Sequence, residues 1–87
     1  MPTYVVESYV PRRDAERLAV TAAHIRRAAE ELSNAGSPVL YDRWEFLPGD
    51  ELCLHFFAAE SAEAVGRSLE RAGLTCERIV ETISSGG

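Results

Sequence analysis

Pro48-Gly49-Asp50 stands between two strand-like runs with only a turn to join them, and this hairpin constrains everything around it. Val39 to Phe46 and Leu52 to Ala58 are rich in β-branched and aromatic side chains, which fit a pleated surface. A three-residue turn of this chemistry makes them antiparallel neighbours. On each side of the hairpin lies a helix-length amphipathic segment, and beyond each of those another strand-like run. Thr3 to Val10 is the first run, stopped by Pro11. Leu18, Ala22, Ile25, Ala29 and Leu32 then recur at helical spacing, with Arg13 and Asp14 at the start and Asp14 placed as an N-cap or first-turn acid. Asn34, Gly36 and Pro38 end that helix. After the hairpin, Ser61 is suited to cap a second helix with the stripe Ala62, Val65, Leu69 and Ala72, closed by Gly73. Cys76 to Ile83 reads as the last strand.

The order βαββαβ is the split βαβ arrangement. Right-handed crossovers place the first and third strands side by side in the centre, with both helices on one face of a four-stranded antiparallel sheet. The expected class is therefore a ferredoxin-like α+β sandwich. The 87 residues form one domain, 1–83, followed by a Ser/Gly tail, 84–87. Two layers leave one sheet face bare, so the expectation is a homodimer through that face, in the manner of a dimeric α/β barrel.

Nine basic residues, all arginine, stand against 14 acidic ones, a net charge of −5. That balance argues against nucleic acid as a partner, because such binding draws most of its affinity from positive charge. Two cysteines, Cys53 and Cys76, are too few for a disulfide scaffold, and no CxxC is present. No apolar run approaches membrane-spanning length, so no membrane partner is expected and the cytoplasm is the expected location, with both thiols reduced. GxSxG, HExxH, Walker and GxGxxG signatures are absent. The third strand also lacks the glycines and basic start of an RNA-binding segment.

Candidate functional residues follow from strand alternation. In the first strand Tyr4, Val6 and Val10 are the more apolar set and are expected against the helices, which sends Val5, Glu7 and Tyr9 to the bare face. In the third, Leu52, Leu54 and Phe56 are expected against the helices, leaving Cys53, His55 and Phe57 opposite. The second strand is open in both senses, with Val39, Tyr41 and Arg43 alternating with Leu40, Asp42 and Trp44. On this parity Glu7 and His55 are neighbours on one surface, with Cys53 and Tyr9 beside them. A carboxylate and an imidazole so placed make half a metal site or an acid–base pair. Tyr9, Tyr41, Trp44 and Phe57 would line any ligand pocket on that face.

Phe56-Phe57-Ala58-Ala59-Glu60-Ser61-Ala62-Glu63-Ala64-Val65, then Arg71-Ala72-Gly73-Leu74 and Glu77-Arg78-Ile79-Val80-Glu81, resemble a family of small bacterial proteins, as does the opening Tyr4-Val5-Val6-Glu7. The family is largely a domain of unknown function and includes a nickel-binding, nickel-responsive ferredoxin-like dimer. The resemblance implies a ferredoxin-like dimer that binds a divalent metal. The chain departs from that pattern at His55, where the family often has cysteine, and at Ala58, where it has an acidic residue.

Three functions compete at this stage. The first is a module for a divalent metal, nickel or zinc, with Glu7, His55 and Cys53 as ligands. A cofactor-independent enzyme of the dimeric α/β-barrel kind (a monooxygenase, cyclase or isomerase) is the second, with Glu7 and His55 moving a proton. The third is a non-catalytic module whose bare face serves only to dimerise.

Overall fold

The computed structural model describes residues 1–75 and 78–83. Its strands are β1 (Thr3–Tyr9), β2 (Val39–Leu47), β3 (Leu52–Ala59) and β4 (Arg78–Thr82), and its helices are α1 (Leu18–Asn34) and α2 (Ala62–Arg71). The sheet order is β2-β3-β1-β4, antiparallel at every step, with β1 and β3 central. This is the ferredoxin-like arrangement. Cys76, Glu77 and the tail 84–87 lie outside the described residues, so the start expected for the last strand is not among them.

Local chemistry explains most element boundaries. Pro11 ends β1, and the chain enters α1 through a 3-10 turn, Arg12–Arg17. Asp14 does not cap α1. It is the first-turn acid of this 3-10 turn, the other place expected for it, its N–H donating to the carbonyl of Pro11, which caps the turn, at 2.8 Å. Every member of the expected α1 stripe is buried, with Ala28 added. Gly36, at φ +98°, turns the chain out of the helix as only glycine does without strain. Ser33 then ties the helix end to β2, its Oγ donating to the Val39 carbonyl at 2.8 Å and accepting from the Val39 N–H at 3.1 Å.

Ser61 caps α2 as expected, its Oγ accepting the Ala64 N–H at 3.2 Å. The buried face of α2 is Ala64, Val65, Ser68 and Leu69. The stripe read from sequence is corrected there: Ala62 is exposed and Ala72 only half-buried. Ser68 is tolerated in the core because its hydroxyl donates to the Val65 carbonyl one turn back, at 2.7 Å. Gly73, at φ +77°, closes the helix, and the Leu74 N–H returns to the Leu69 carbonyl at 2.9 Å.

The core lies between the sheet and the helices. Val6, Ile25, Phe57 and Val65 are its fully enclosed large side chains, with Tyr4, Val39, Tyr41 and Leu69 around them. The other sheet face carries no layer among the described residues. Val5, Leu40, Leu54, Phe56, Ala58 and Val80 lie on it by register. No helix among the described residues is long and apolar enough to cross a membrane.

Candidate functional site

Strand parity decides which chemistry-bearing residues meet. β1 follows the expectation: Tyr4 and Val6 are buried and Glu7 is on the bare side. β3 is reversed. Cys53, His55, Phe57 and Ala59 are the buried set, and Leu52, Leu54, Phe56 and Ala58 are only half-buried. Register agrees, since His55 lies opposite Val6 and Glu7 opposite Leu54. Glu7 and His55 therefore sit on opposite faces of the sheet, and the expected carboxylate–imidazole pair does not form. Glu7 pairs instead with Arg78 of β4, at 3.4 Å. The parity expectation failed because it ranked the sets by hydropathy, while both faces of β3 are apolar enough to be covered.

β2 departs from simple alternation altogether. A register shift between Tyr41 and Arg43 makes Asp42 an extra residue, so Val39 and Tyr41 face the helices and then Trp44 and Phe46 do. The bulge brings Tyr41 and Trp44, expected on alternate faces, to the same side.

On the helix side His55 is 3% exposed and both ring nitrogens are occupied. Nδ1 is hydrogen-bonded to the Tyr41 hydroxyl at 2.8 Å, and Nε2 lies 3.5 Å from the Cys53 thiol. Tyr41 is held by an edge contact with Phe57, ring centroids 5.1 Å apart, and by the Arg26 guanidinium 5.1 Å over its ring. Burial sets the protonation of all three groups. It lowers the His55 pKa from 6.5 to about 4 and raises the Cys53 thiol from 9.0 to about 11. The Tyr41 phenol is pushed well above its ordinary value by burial and by the neighbouring Cys53, against a smaller opposing effect of Arg26. At neutral pH the trio is a neutral phenol, imidazole and thiol, suited to hydrogen bonding rather than nucleophilic attack.

A pocket of about 240 Å³ reaches His55 from one end of the sandwich. Val6, Leu18, Leu69 and Leu74 give it apolar walls, while Ser8, Thr21, Asp14 and Arg17 bring polar groups. Its outer end lies where the chain leaves β1. There the Val10 N–H donates to the Glu51 carbonyl at 2.9 Å, and the Arg12 N–H to the Glu51 carboxylate at 2.7 Å. The hairpin thus braces the segment that forms the pocket rim.

Of the residues expected to line a pocket, Tyr9 does so, at 67% exposure on the rim. Tyr41 and Phe57 are buried in the core beneath, and Trp44 packs half-buried against it. The pocket at His55 is on the helix side; the bare sheet face, where a pocket was expected, carries another of about 370 Å³ lined by Leu40, Arg43, Phe56, Phe57 and Ala58. Thr21 was missed by sequence reasoning, although a threonine three residues after Leu18 on a buried stripe is a readable sign of a polar lining.

Glu7 cannot join Cys53 and His55 across the sheet. No group of three or more His, Cys, Asp or Glu among the described residues is placed to hold an ion. Cys53 Sγ and His55 Nε2, 3.5 Å apart, are close enough to share one.

No protein-family model matches the chain, and no curated protein does. A solved structure, that of SCO4226 from Streptomyces coelicolor A3(2), is similar, with a TM-score of 0.75 and 24% sequence identity over 97% of this chain and 99% of that one. At this identity the likeness shows the ferredoxin-like fold, which the sheet order had already given.

Proposed function

We propose that this chain is a small-molecule-binding domain whose ligand enters between the sheet and the helices and hydrogen-bonds to His55. The observation that carries the reading is the placement of a buried, neutral imidazole at a pocket of about 240 Å³ whose walls mix apolar side chains with a few polar ones. A cavity of about 150 Å³ holds benzene, so this one suits a molecule of one to two rings. Titration of ¹⁵N-labelled protein with neutral one- and two-ring aromatics tests it. Amide shifts are expected at Val6 to Val10, Thr21, His55 and Leu69, and Thr21→Trp, which fills the space, should abolish them. No shifts at millimolar ligand, or shifts confined to the bare sheet face, would overturn it.

A divalent ion, nickel or zinc, is the second reading, supported by one distance. Cys53 Sγ and His55 Nε2 are 3.5 Å apart. Donors bound at ordinary lengths to one tetrahedral ion are separated by roughly that much. Calorimetry with either metal on chelator-treated protein should then show micromolar binding that is lost in Cys53→Ser and in His55→Ala. Absence of heat in the wild type ends this reading.

We propose also that two copies pair through the bare sheet face, since Val5, Leu54, Phe56 and Val80 lie there with no helix of the described residues over them. A reducing compartment such as the cytoplasm suits the buried free thiol of Cys53.

A further inference from the structure

Which polar group of a ligand suits His55 depends on which ring nitrogen carries the proton. A neutral imidazole has one N–H and one lone pair, and two arrangements fit the distances. In one, the Tyr41 hydroxyl donates to Nδ1 at 2.8 Å, and Nε2–H points toward Cys53 Sγ at 3.5 Å. In the other, Nδ1–H donates to the Tyr41 oxygen and the Cys53 thiol donates to Nε2.

The two differ in what they leave unpaired. Tyr41 is 3% exposed, and among the described residues its hydroxyl has no hydrogen-bond partner but His55. The second arrangement strands a buried phenol proton, a strong donor whose desolvation costs about 1–3 kcal/mol. The first strands only the Cys53 S–H, a weak donor. Tyr41 therefore fixes His55 as the Nε2–H tautomer.

Register then says which nitrogen lies on the pocket side. Tyr41 pairs with Phe57, so Nδ1 is directed toward that end of β3. Cys53, toward which Nε2 points, pairs with Ser8, and Ser8 lines the pocket. An N–H···S contact of 3.5 Å is weak and readily exchanged for a better acceptor.

Resting on the pocket reading above, we propose that the site takes a neutral carbonyl compound of one to two rings, its C=O oxygen accepting from His55 Nε2–H. The body of the ligand lies against Val6, Leu18, Leu69 and Leu74. A carboxylate is disfavoured, because at His55 it would meet an uncharged donor and the charge of Arg17 on the pocket wall is balanced by that of Asp14. A nitrogen that already carries its proton does not act as a base, so His55 binds and polarises the carbonyl and does not abstract a proton.

The test is NMR on full-length His24→Gln protein, which has a single imidazole. Long-range ¹H–¹⁵N spectra at pH 7 should show one Nε2–H tautomer. Acetophenone should bind about tenfold more tightly than ethylbenzene, the yield of one good hydrogen bond, and more tightly than phenol or benzoate. Acetophenone should also shift the Nε2 resonance. An Nδ1–H tautomer, or equal binding of acetophenone and ethylbenzene in the pocket, would overturn the carbonyl assignment and leave the pocket standing. Failure of all four probes to reach the pocket would overturn both.

Discussion

The hydroxyl of Tyr41 and Nδ1 of His55 lie 2.8 Å apart in the interior, one side chain from β2 and the other from β3. This pairing lets a polar imidazole occupy a core position, because each group satisfies the other where water does not reach. The Asp42 bulge sits immediately beyond Tyr41, so the strand realigns next to the residue that makes the bond.

Removing the hydroxyl should therefore cost more than a surface change of the same size. Tyr41→Phe is expected to lower stability by about 1–3 kcal/mol, the range for a buried group left without its partner. In a double-mutant cycle with His55→Leu, the paired loss should be smaller than the two single losses added together by about 1 kcal/mol. Urea unfolding of the four proteins measures both quantities.

His55 also makes stability depend on pH in a definite direction. Its folded pKa of about 4 lies below the ordinary 6.5, so the unfolded chain takes up the proton first. The full stability is present above pH 6.5 and is lost as pH falls toward 4. Between pH 7 and pH 5 the wild type should lose about 2 kcal/mol that His55→Leu does not lose. Urea midpoints across that range, compared between the two proteins, give the difference directly. Carboxylates contribute to both proteins alike and cancel.

Cys53 is fully enclosed and its thiol is pushed up to about 11. Little thiolate exists at pH 8, and none of it is accessible without opening the core. In a Cys76→Ser background, Ellman's reagent should react with Cys53 in the native protein about 100-fold more slowly than in urea. Fast labelling in the native state would show that the end of the sandwich opens readily.

The framework was legible from sequence because its signals are local and agree with one another. Pro11, Gly36, Ser61 and Gly73 each act on the backbone within a few residues, and the α1 stripe from Leu18 to Leu32 repeats often enough to fix its face. The site was less legible, and β3 shows why. Leu52-Cys53-Leu54-His55-Phe56-Phe57 has an apolar set on either parity, so period-two alternation carries almost no information about direction. Hydropathy put histidine outside, whereas Tyr41, 14 residues earlier, makes it affordable inside. That partner is placed by the bulge at Asp42, and nothing in the sequence of β2 announces one. Glu7 was assigned to the right face and lost its expected partner only through the reversal of β3.

The bare sheet face gives the last prediction. Leu54 lies on it between Glu7 of β1 and Glu45 of β2, by register on both sides. In a single copy Leu54→Glu adds a third carboxylate to a solvated row, a change of surface that should leave far-UV circular dichroism unaltered. In a pair joined through this face, the same carboxylate is carried into an apolar contact where the arginine of its row, Arg78, is already paired with Glu7, which costs several kcal/mol. Light scattering on the wild type should thus return twice the 9.6 kDa chain mass, and on Leu54→Glu the mass of one chain. A wild type that scatters as a single chain at every concentration would show that the face is not joined to a second copy. A dimer unaffected by Leu54→Glu would place the contact elsewhere.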